Sequence, residues 1–549
     1  MLVLCIYAVV QNYNILKQDS TIFYYDIADT YTISKSLYAL FEKHDFKAFG
    51  EYYLNRYYKD YPPLIVFQPF PIYYVLGLSE DNASLSNIVH VCIILFSIFY
   101  LGKKVRDRKT GLLSALFLFS VPSFLPFSRV YLPDIALVSI FSLSTVVYYY
   151  SEFFSNTKYS LLFGAICGLG MLAKFTFFIY IIPLVFIGFI YRFFQYKTCK
   201  KINSRQFIFN ISISILACLA VMSIWYLPHG TLLLSIQQGE TGFDNGLNFA
   251  KYNLLEKLFI NLLQYTKLLF SVKFLGLCAF FFIPIFSYSL LRLINGPNIK
   301  TDLIEIILAP VFIIFPLLLF SSSARYVFPL LILFSVTSAE LINKIIDTIR
   351  CNKFTHRIIN GALFILLFAL ACTLPFKGSI MSTNNLYEKG IVMPSDNFLP
   401  VQTMISEINE LIINNNVSRA VFLHDSIAAS AIGNNINTSI YNPIQELTRS
   451  HMCRLSAKCD AALHSSKVFI CNSDIVITSN ITIPFSLLNL VEDALPDKLL
   501  QYQKVQDNFE NCKDNFEPIL NYSHVIIDDG ESADIVVHLN KKNYLFISK

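Results

Sequence analysis

Residues 128–151 read SRVYLPDIALVSIFSLSTVVYYYS. Arg129 and Pro133 lead into Asp134, and an apolar run of about the length of a bilayer-crossing helix follows without a charge. An acid at the start of such a run suits a helix N-terminus, where a carboxylate caps free N–H groups and meets the positive end of the macrodipole. The same arrangement also leaves a carboxylate and a guanidinium at the edge of a membrane, where charged groups handle polar substrates.

Outward from this stretch the pattern repeats. The 549-residue chain is 54% hydrophobic and 15% charged, and its mean hydropathy is +0.52. A soluble globular chain carries roughly 25% charged residues, so the composition is that of an integral membrane protein. Apolar runs near 1–16, 85–102, 110–127, 134–151, 159–173, 175–192, 207–227, 269–291, 302–320, 326–344 and 357–376 predict about eleven transmembrane helices. Residues 64–79, LIVFQPFPIYYVLGLS, hold Pro69 and Pro71 and are short for a crossing, which predicts a re-entrant or interfacial segment. The first run lacks a basic flank and reads as an anchor rather than a cleaved signal. A net charge of +5 is small for this length and argues against a nucleic-acid partner.

Basic clusters orient the ladder. Lys103–Lys109, Lys197–Arg205, Arg292–Lys300 and Lys344–Arg357 belong on the cytoplasmic side. The loop of about residues 17–84, the Arg129–Asp134 turn, the 228–268 loop, the Ser321–Arg325 turn and the tail then face outward. The expected organisation is a polytopic all-α module over 1–376, followed over 377–549 by a soluble extracytoplasmic α/β domain. In that tail, Val401–Asn414 has helical periodicity, and strand-like runs lie at 420–423, 466–470, 475–478, 525–527 and 534–539. Of 12 cysteines, Cys453, Cys459, Cys471 and Cys512 fall in the tail, an even number that suits disulfides as well as free thiols.

Chemistry-bearing residues collect on the outward side. Asp26 and Asp29 stand three apart, a helix-face spacing, with Asp29 opening the helical-looking stretch that follows. Either can cap a helix, remove a proton from an acceptor, or hold a cation beside a phosphate. Lys174 interrupts an apolar stretch, where a cation is functional by default unless it snorkels to the interface. Arg325-Tyr326 occupies another outward turn. Arg129, Lys174 and Arg325 together run against the positive-inside rule, which an anionic lipid headgroup would explain. Pro62 and Pro63, after Tyr61, stop any arriving helix. No Walker loop, GxGxxG or HExxH motif is present, which agrees with a donor that is not a nucleotide sugar.

In this order the motifs resemble the polyprenyl-phosphate-sugar glycosyltransferases of the GT-C fold, in the branch of the protein O-mannosyltransferases and the ArnT-like aminoarabinose transferases. DIADTYTISKSL (26–37) is similar to that family's acidic first-loop motif, YPPL (61–64) to its K/H-P-P-L, RVYLPD to its small turn with an Asp at a span start, GLGMLAKF (168–175) to G-L-x-x-L-x-K-G, and RYVFPL to its Arg-Tyr motif. The likeness covers about residues 20–345. Ile27 stands where the family has its second acid, Tyr61 where it has Lys or His, and Phe175 where it has Gly.

The resemblance implies a membrane glycosyltransferase that moves one sugar from an undecaprenyl or dolichyl monophosphate to a protein, lipid or glycan acceptor on the outer face. It implies Asp26 as the catalytic carboxylate, assisted by Asp134 and with Asp29 as a second candidate acid. Lys174 and Arg325, with Tyr326, Arg129 and Tyr61 nearby, are implied for the donor phosphate. No particular cofactor is fixed by these motifs, and a divalent metal is left open. A divalent metal is expected under a rival reading, an oligosaccharide ligase with a diphosphate-linked donor, and a lipid or glycan transporter or flippase is the other alternative.

Overall fold

The computed structural model describes residues 1–18, 26–55, 62–199, 204–229 and 324–348, five strands between 419 and 540, and a few isolated positions. The chain divides into two compact units, Met1–Lys17 with Ile33–Met393 and Gln18–Thr32 with Pro394–Lys549.

The first unit is helical. In chain order its elements are α1 (Leu2–Gln18), α2 (Asp26–Glu42, with its first turns in the other unit), α3 (Phe46–Asn55), α4 (Leu64–Phe67), α5 (Phe70–Leu76), α6 (Glu80–Leu85), α7 (Ile88–Val105), α8 (Arg108–Phe119), α9 (Phe124–Ser128), α10 (Pro133–Tyr150), α11 (Thr157–Ala173), α12 (Phe177–Cys199), α13 (Ser204–Tyr226) and α14 (Phe328–Thr348). A 3₁₀ turn at Ala324–Val327 precedes α14. Among the described residues, Glu80–Val105, Pro133–Tyr150, Arg205–Tyr226 and Arg325–Lys344 are long and apolar enough to cross a membrane, and shorter apolar helices lie at Leu2–Lys17, Thr157–Ala173 and Phe177–Phe189. The expected spans at 269–291, 302–320 and 357–376 lie outside the described residues.

Two expectations need correcting. The run 110–127 is not one helix: α8 stops at Phe119 and α9 resumes at Phe124. Pro122 and Pro126 lack the N–H that a continuous ladder requires there. The acidic helix begins at Asp26 rather than Asp29, which places Asp29 within its first turn. The 64–79 segment forms two short helices interrupted at Gln68-Pro69. At about 1.5 Å per residue their combined length falls well short of a ~30 Å hydrocarbon core.

Among the described long apolar helices, α10 and the helix over Arg325–Lys344 are equally the most buried. Of the apolar window of α10 89% is buried, against 11% for Arg205–Tyr226, and α7, α11, α12 and α14 pack around α10. α13 lies against α11 across Gly164 and Gly168, where a Cβ on Gly164 would collide with the Ser214 carbonyl and one on Gly168 would come within 2.6 Å of Val221. That close approach admits two interhelical hydrogen bonds, from Asn210 Nδ2 to Phe154 O (2.7 Å) and from Ser214 Oγ to Ser160 O (2.5 Å).

The charged loops segregate. At one end, Lys104 faces Glu152 at 3.8 Å, Arg106 pairs with Asp347, Asp107 caps α8 through Thr110 N at 2.8 Å, and Asn343 Nδ2 donates to Thr110 Oγ1 at 3.0 Å. The Lys103–Lys109 cluster and the C-terminus of α14 therefore meet, as two loops on one side must. The N-termini of α7, α10 and α14 and the C-terminus of α11 lie at the opposite end.

In the second unit a five-stranded sheet has the order β2-β1-β3-β5-β4. β1 (Arg419–Leu423) runs parallel to β2 (Ser439–Tyr441) and β3 (Ile475–Ser479), while β5 (Glu531–Asn540) is antiparallel to β3 and to β4 (Phe516–Asp528). The strand-like runs at 420–423, 475–478, 525–527 and 534–539 fall in β1, β3, β4 and β5. β2 was not expected, and β4 starts earlier and passes through register shifts that a period-two pattern conceals. The helix expected at 401–414, the strand at 466–470 and the four tail cysteines lie outside the described residues.

Candidate active site

Asp134 sits in the first turn of α10, directly after Pro133, and is 3% exposed. Pro at the first helical position has no N–H to leave unpaired, and the extended backbone at Leu132 turns the chain into the helix. Lys174 follows the last residue of α11 in an extended conformation that ends the helix, and it too is 3% exposed. Forty residues apart in sequence, these side chains meet: Lys174 Nζ donates to Asp134 Oδ1 at 2.8 Å. The same ammonium lies 5.0 Å from the centre of the Tyr326 ring, and the Arg325 guanidinium lies 5.5 Å from it. Tyr326 is held by its carbonyl, which accepts from Tyr180 Oη on α12 at 3.2 Å. Phe328 stacks face to face on Phe127 at 4.0 Å, fixing the start of α14 against α9.

The cluster combines one carboxylate with two cations over one aromatic face, so its formal charge is +1. Arg325 is close enough for its charge to act on Asp134 as well. Buried ions are costly unless paired, and Asp134 is only half satisfied: its Oδ2 is buried and has no hydrogen-bond partner among the described residues. An ammonium has three donors, of which one is given to Asp134. The arrangement therefore offers cationic donors and one carboxylate oxygen to a polar guest.

Other expected site residues are placed as follows. Arg129 is buried and its Nε donates to Asn12 Oδ1 on α1 at 3.1 Å, while Asn12 Nδ2 donates to Ser128 Oγ at 2.8 Å. The guanidinium is thus tied to the first helix. Asp26 and Asp29 lie in the opening turn of α2, but their side chains, like Tyr61 as a whole, are outside the described residues. Among the described residues no three His, Cys, Asp or Glu side chains converge as metal ligands.

Sequence reading passed over a second buried polar group beside this cluster. Gln68, Ser86, Asn87, His90 and Ser139 are joined by hydrogen bonds of 2.7–3.0 Å. The signal was present: a histidine within IVHVCIILF and a glutamine between Phe67 and Pro69 are polar groups in apolar surroundings.

Residues 60–225 match a protein family described as dolichyl-phosphate-mannose-protein mannosyltransferase. A search of curated proteins returns no match. Among solved structures, ArnT from Cupriavidus metallidurans in the apo state superposes with a TM-score of 0.55 at 11% identity, covering 98% of this chain and 97% of that one. The same enzyme bound to undecaprenyl phosphate gives 0.55 at 12% identity over the same shares. The Archaeoglobus fulgidus oligosaccharyltransferase in complex with Zn and sulfate gives 0.54 at 13% identity, over 96% of this chain and 72% of that one. The archaeal AglB from the same organism, in complex with an inhibitory peptide and a dolichol-phosphate, gives 0.51 at 12% identity, over 95% and 73%. The chain is thus a multi-pass membrane protein with the fold seen in ArnT, and residues 60–225 carry its likeness to the protein mannosyltransferases.

Proposed function

We propose that the protein transfers a single sugar from a polyprenyl monophosphate carrier to an acceptor on the outer face of the membrane. The observation that carries this reading is the buried Asp134–Lys174 pair with Tyr326 and Arg325 against it. A net positive charge in low-dielectric surroundings suits the phosphodiester of a polyprenyl-phosphate sugar and the monoester it leaves behind, and the undecaprenyl phosphate and dolichol-phosphate held by two proteins of like fold support that donor class.

An acceptor hydroxyl or amine attacks the anomeric carbon. The bond from that carbon to the phosphate oxygen breaks, and its electron pair leaves with the lipid phosphate. Lys174 and Arg325 stabilise the charge that grows on that oxygen, a role that preorganised cations perform without reorganisation. The acceptor proton passes to a carboxylate, which we assign to Asp26 at the start of α2, with Asp29 as the lesser candidate. Asp134 holds Lys174 in place, and its free oxygen is available to a sugar hydroxyl. A single displacement inverts the anomeric centre. The tail from residue 377, with its five-stranded sheet, is read as an extracytoplasmic α/β domain.

The test uses purified protein in nanodiscs with a panel of radiolabelled polyprenyl-phosphate sugars, scoring label lost from the lipid and product stereochemistry. Transfer or release by the wild type and none by Asp26→Asn support the reading. Full activity of Asp26→Asn refutes the assignment of the base. A second reading, a ligase using a diphosphate-linked oligosaccharide, draws on the likeness to the archaeal oligosaccharyltransferase. It predicts loss of activity on titration with EDTA, which the monophosphate reading does not.

A further inference from the structure

The buried group beside Asp134 has one internal direction, and it can be worked out from a carbonyl that can only accept. Asn87 Nδ2 lies 2.6 Å from Val130 O, in the turn that leads into α10, and must donate to it. Asn87 Oδ1 then faces Gln68 Nε2 at 2.7 Å and accepts from it. The second Gln68 Nε2 proton goes to Ser86 Oγ at 3.0 Å. This turns Gln68 Oε1 toward His90 Nε2 at 2.8 Å, so that ring nitrogen carries a proton. His90 Nδ1 lies 2.7 Å from Ser139 Oγ, on α10 just beyond Asp134. Asn87 and Ser139 are 0% exposed and His90 8%, while Gln68 is half-buried.

Two further bonds tie the same short helix, α4, to its neighbours. Tyr131 Oη donates to Ile65 O at 2.6 Å, and Ser34 Oγ on α2 donates to Val66 O at 2.7 Å. α4 is therefore fastened to the turn before Asp134 from one side and, through Gln68 and His90, to α7 and α10 from the other. Packing alone does not require this: apolar side chains would hold these segments with less desolvation. Ser139 Oγ has one proton for both His90 Nδ1 and Ala136 O, 2.8 Å away, so the chain ends there; up to that point each donor meets an acceptor, which selects one geometry.

We infer that Gln68, Asn87 and His90 are positioning residues for the transfer reaction, a one-directional hydrogen-bond chain that fixes the start of α10 and thereby the Asp134–Lys174 pair. The inference rests on the proposed reading of that pair. Lys174 and Arg325 are carried by the end of α11 and the turn before α14; α4 packs on α11 as well as on α10, but none of the hydrogen bonds above ends on either cation. Disturbing it should therefore misplace Asp134 more than it weakens the hold on phosphate.

Asn87→Asp keeps the volume but sets a second acceptor against Val130 O. His90→Leu removes both ring bonds, and His90→Gln restores a donor toward Gln68 and an acceptor toward Ser139. In nanodiscs, with the labelled donor that the wild type turns over, Asn87→Asp and His90→Leu should lower kcat by ~10- to 100-fold, the scale of a small misplacement at a reacting centre. Their Kd for undecaprenyl phosphate should stay within about twofold of wild type, a change under ~0.5 kcal/mol, and His90→Gln should recover most of kcat. Where Asn87→Asp does not fold, the contrast between His90→Gln and His90→Leu decides the same question.

Variants that keep full kcat overturn the inference. So do variants whose kcat and lipid binding fall together in step with the loss of folded protein, or a His90→Gln no better than His90→Leu. A wild type that binds no undecaprenyl phosphate and moves no sugar overturns the functional reading itself, an outcome distinct from these.

Discussion

Separate and joint removal of the Lys174–Asp134 pair distinguishes a structural strut from a working site. The two atoms are 2.8 Å apart with both side chains 4% exposed. At an effective dielectric of about 20 their attraction is about 6 kcal/mol, but removing two ions from water costs several kcal/mol each, so the pair nets little against an apolar pair. Removing one partner is different, because it strands a charge. Lys174→Met or Asp134→Leu should each cost about 3–5 kcal/mol, whereas the double variant should lie close to wild type. In detergent this corresponds to apparent melting temperatures lowered by on the order of 10 °C for each single variant, with the double variant recovering most of the loss. Scanning fluorimetry at one fixed heating rate reads this, since unfolding in detergent is a rate-controlled process. The same preparations are then assayed for sugar transfer. A double variant that is stable yet inactive is the expected result, because restored packing does not restore a cationic site. Single variants as stable as wild type would show that the pair is not buried as described, and a stable, fully active double variant would remove it from the mechanism.

At the acidic helix, Asp29→Asn should retain most transfer while Asp26→Asn abolishes it at unchanged undecaprenyl phosphate binding; the reverse order would move the base to Asp29. For the cation-bearing ring, Tyr326→Phe should bind undecaprenyl phosphate nearly as well as wild type, whereas Tyr326→Leu forfeits ~1–2 kcal/mol of cation–π attraction and binds on the order of tenfold more weakly by isothermal titration. Gly164→Val should lower apparent thermal stability by about 1–3 kcal/mol equivalents, because the new side chain meets the Ser214 backbone carbonyl, which cannot rotate away. An unchanged melting temperature there would mean that α11 and α13 are not in contact at this point.

Several site residues were individually legible in the sequence. Asp134, Lys174 and Arg325-Tyr326 each stood out as a polar group where an apolar run begins or breaks, and the comparison of hydropathy with charge placed them in turns rather than mid-span. Their convergence was not legible, since positions 134, 174 and 326 are brought together by helix packing and not by spacing. The break between α8 and α9 was available in principle from Pro122 and Pro126, but a sliding apolar average weighs composition more than backbone donors. Gln68, Asn87 and His90 were missed for a related reason: each is a single polar residue diluted by apolar neighbours, and only the partner across the interface shows that it is satisfied rather than solvated.

The sequence alone determined that this is a membrane protein of many helices, and it marked which loops carry basic charge. Both follow from properties that each residue contributes locally, namely transfer of its side chain from water and the charge on its loop. Tertiary structure alone decided which helices are buried among others. Pro133–Tyr150 and Arg205–Tyr226 are both long and apolar enough to cross a membrane, yet one is 89% buried in protein and the other 11%. Lipid tails and leucine side chains are equally apolar, so hydropathy cannot separate a helix that faces lipid from one that faces other helices. Because Asp134 opens the buried helix, its charge required a partner, and packing supplied Lys174.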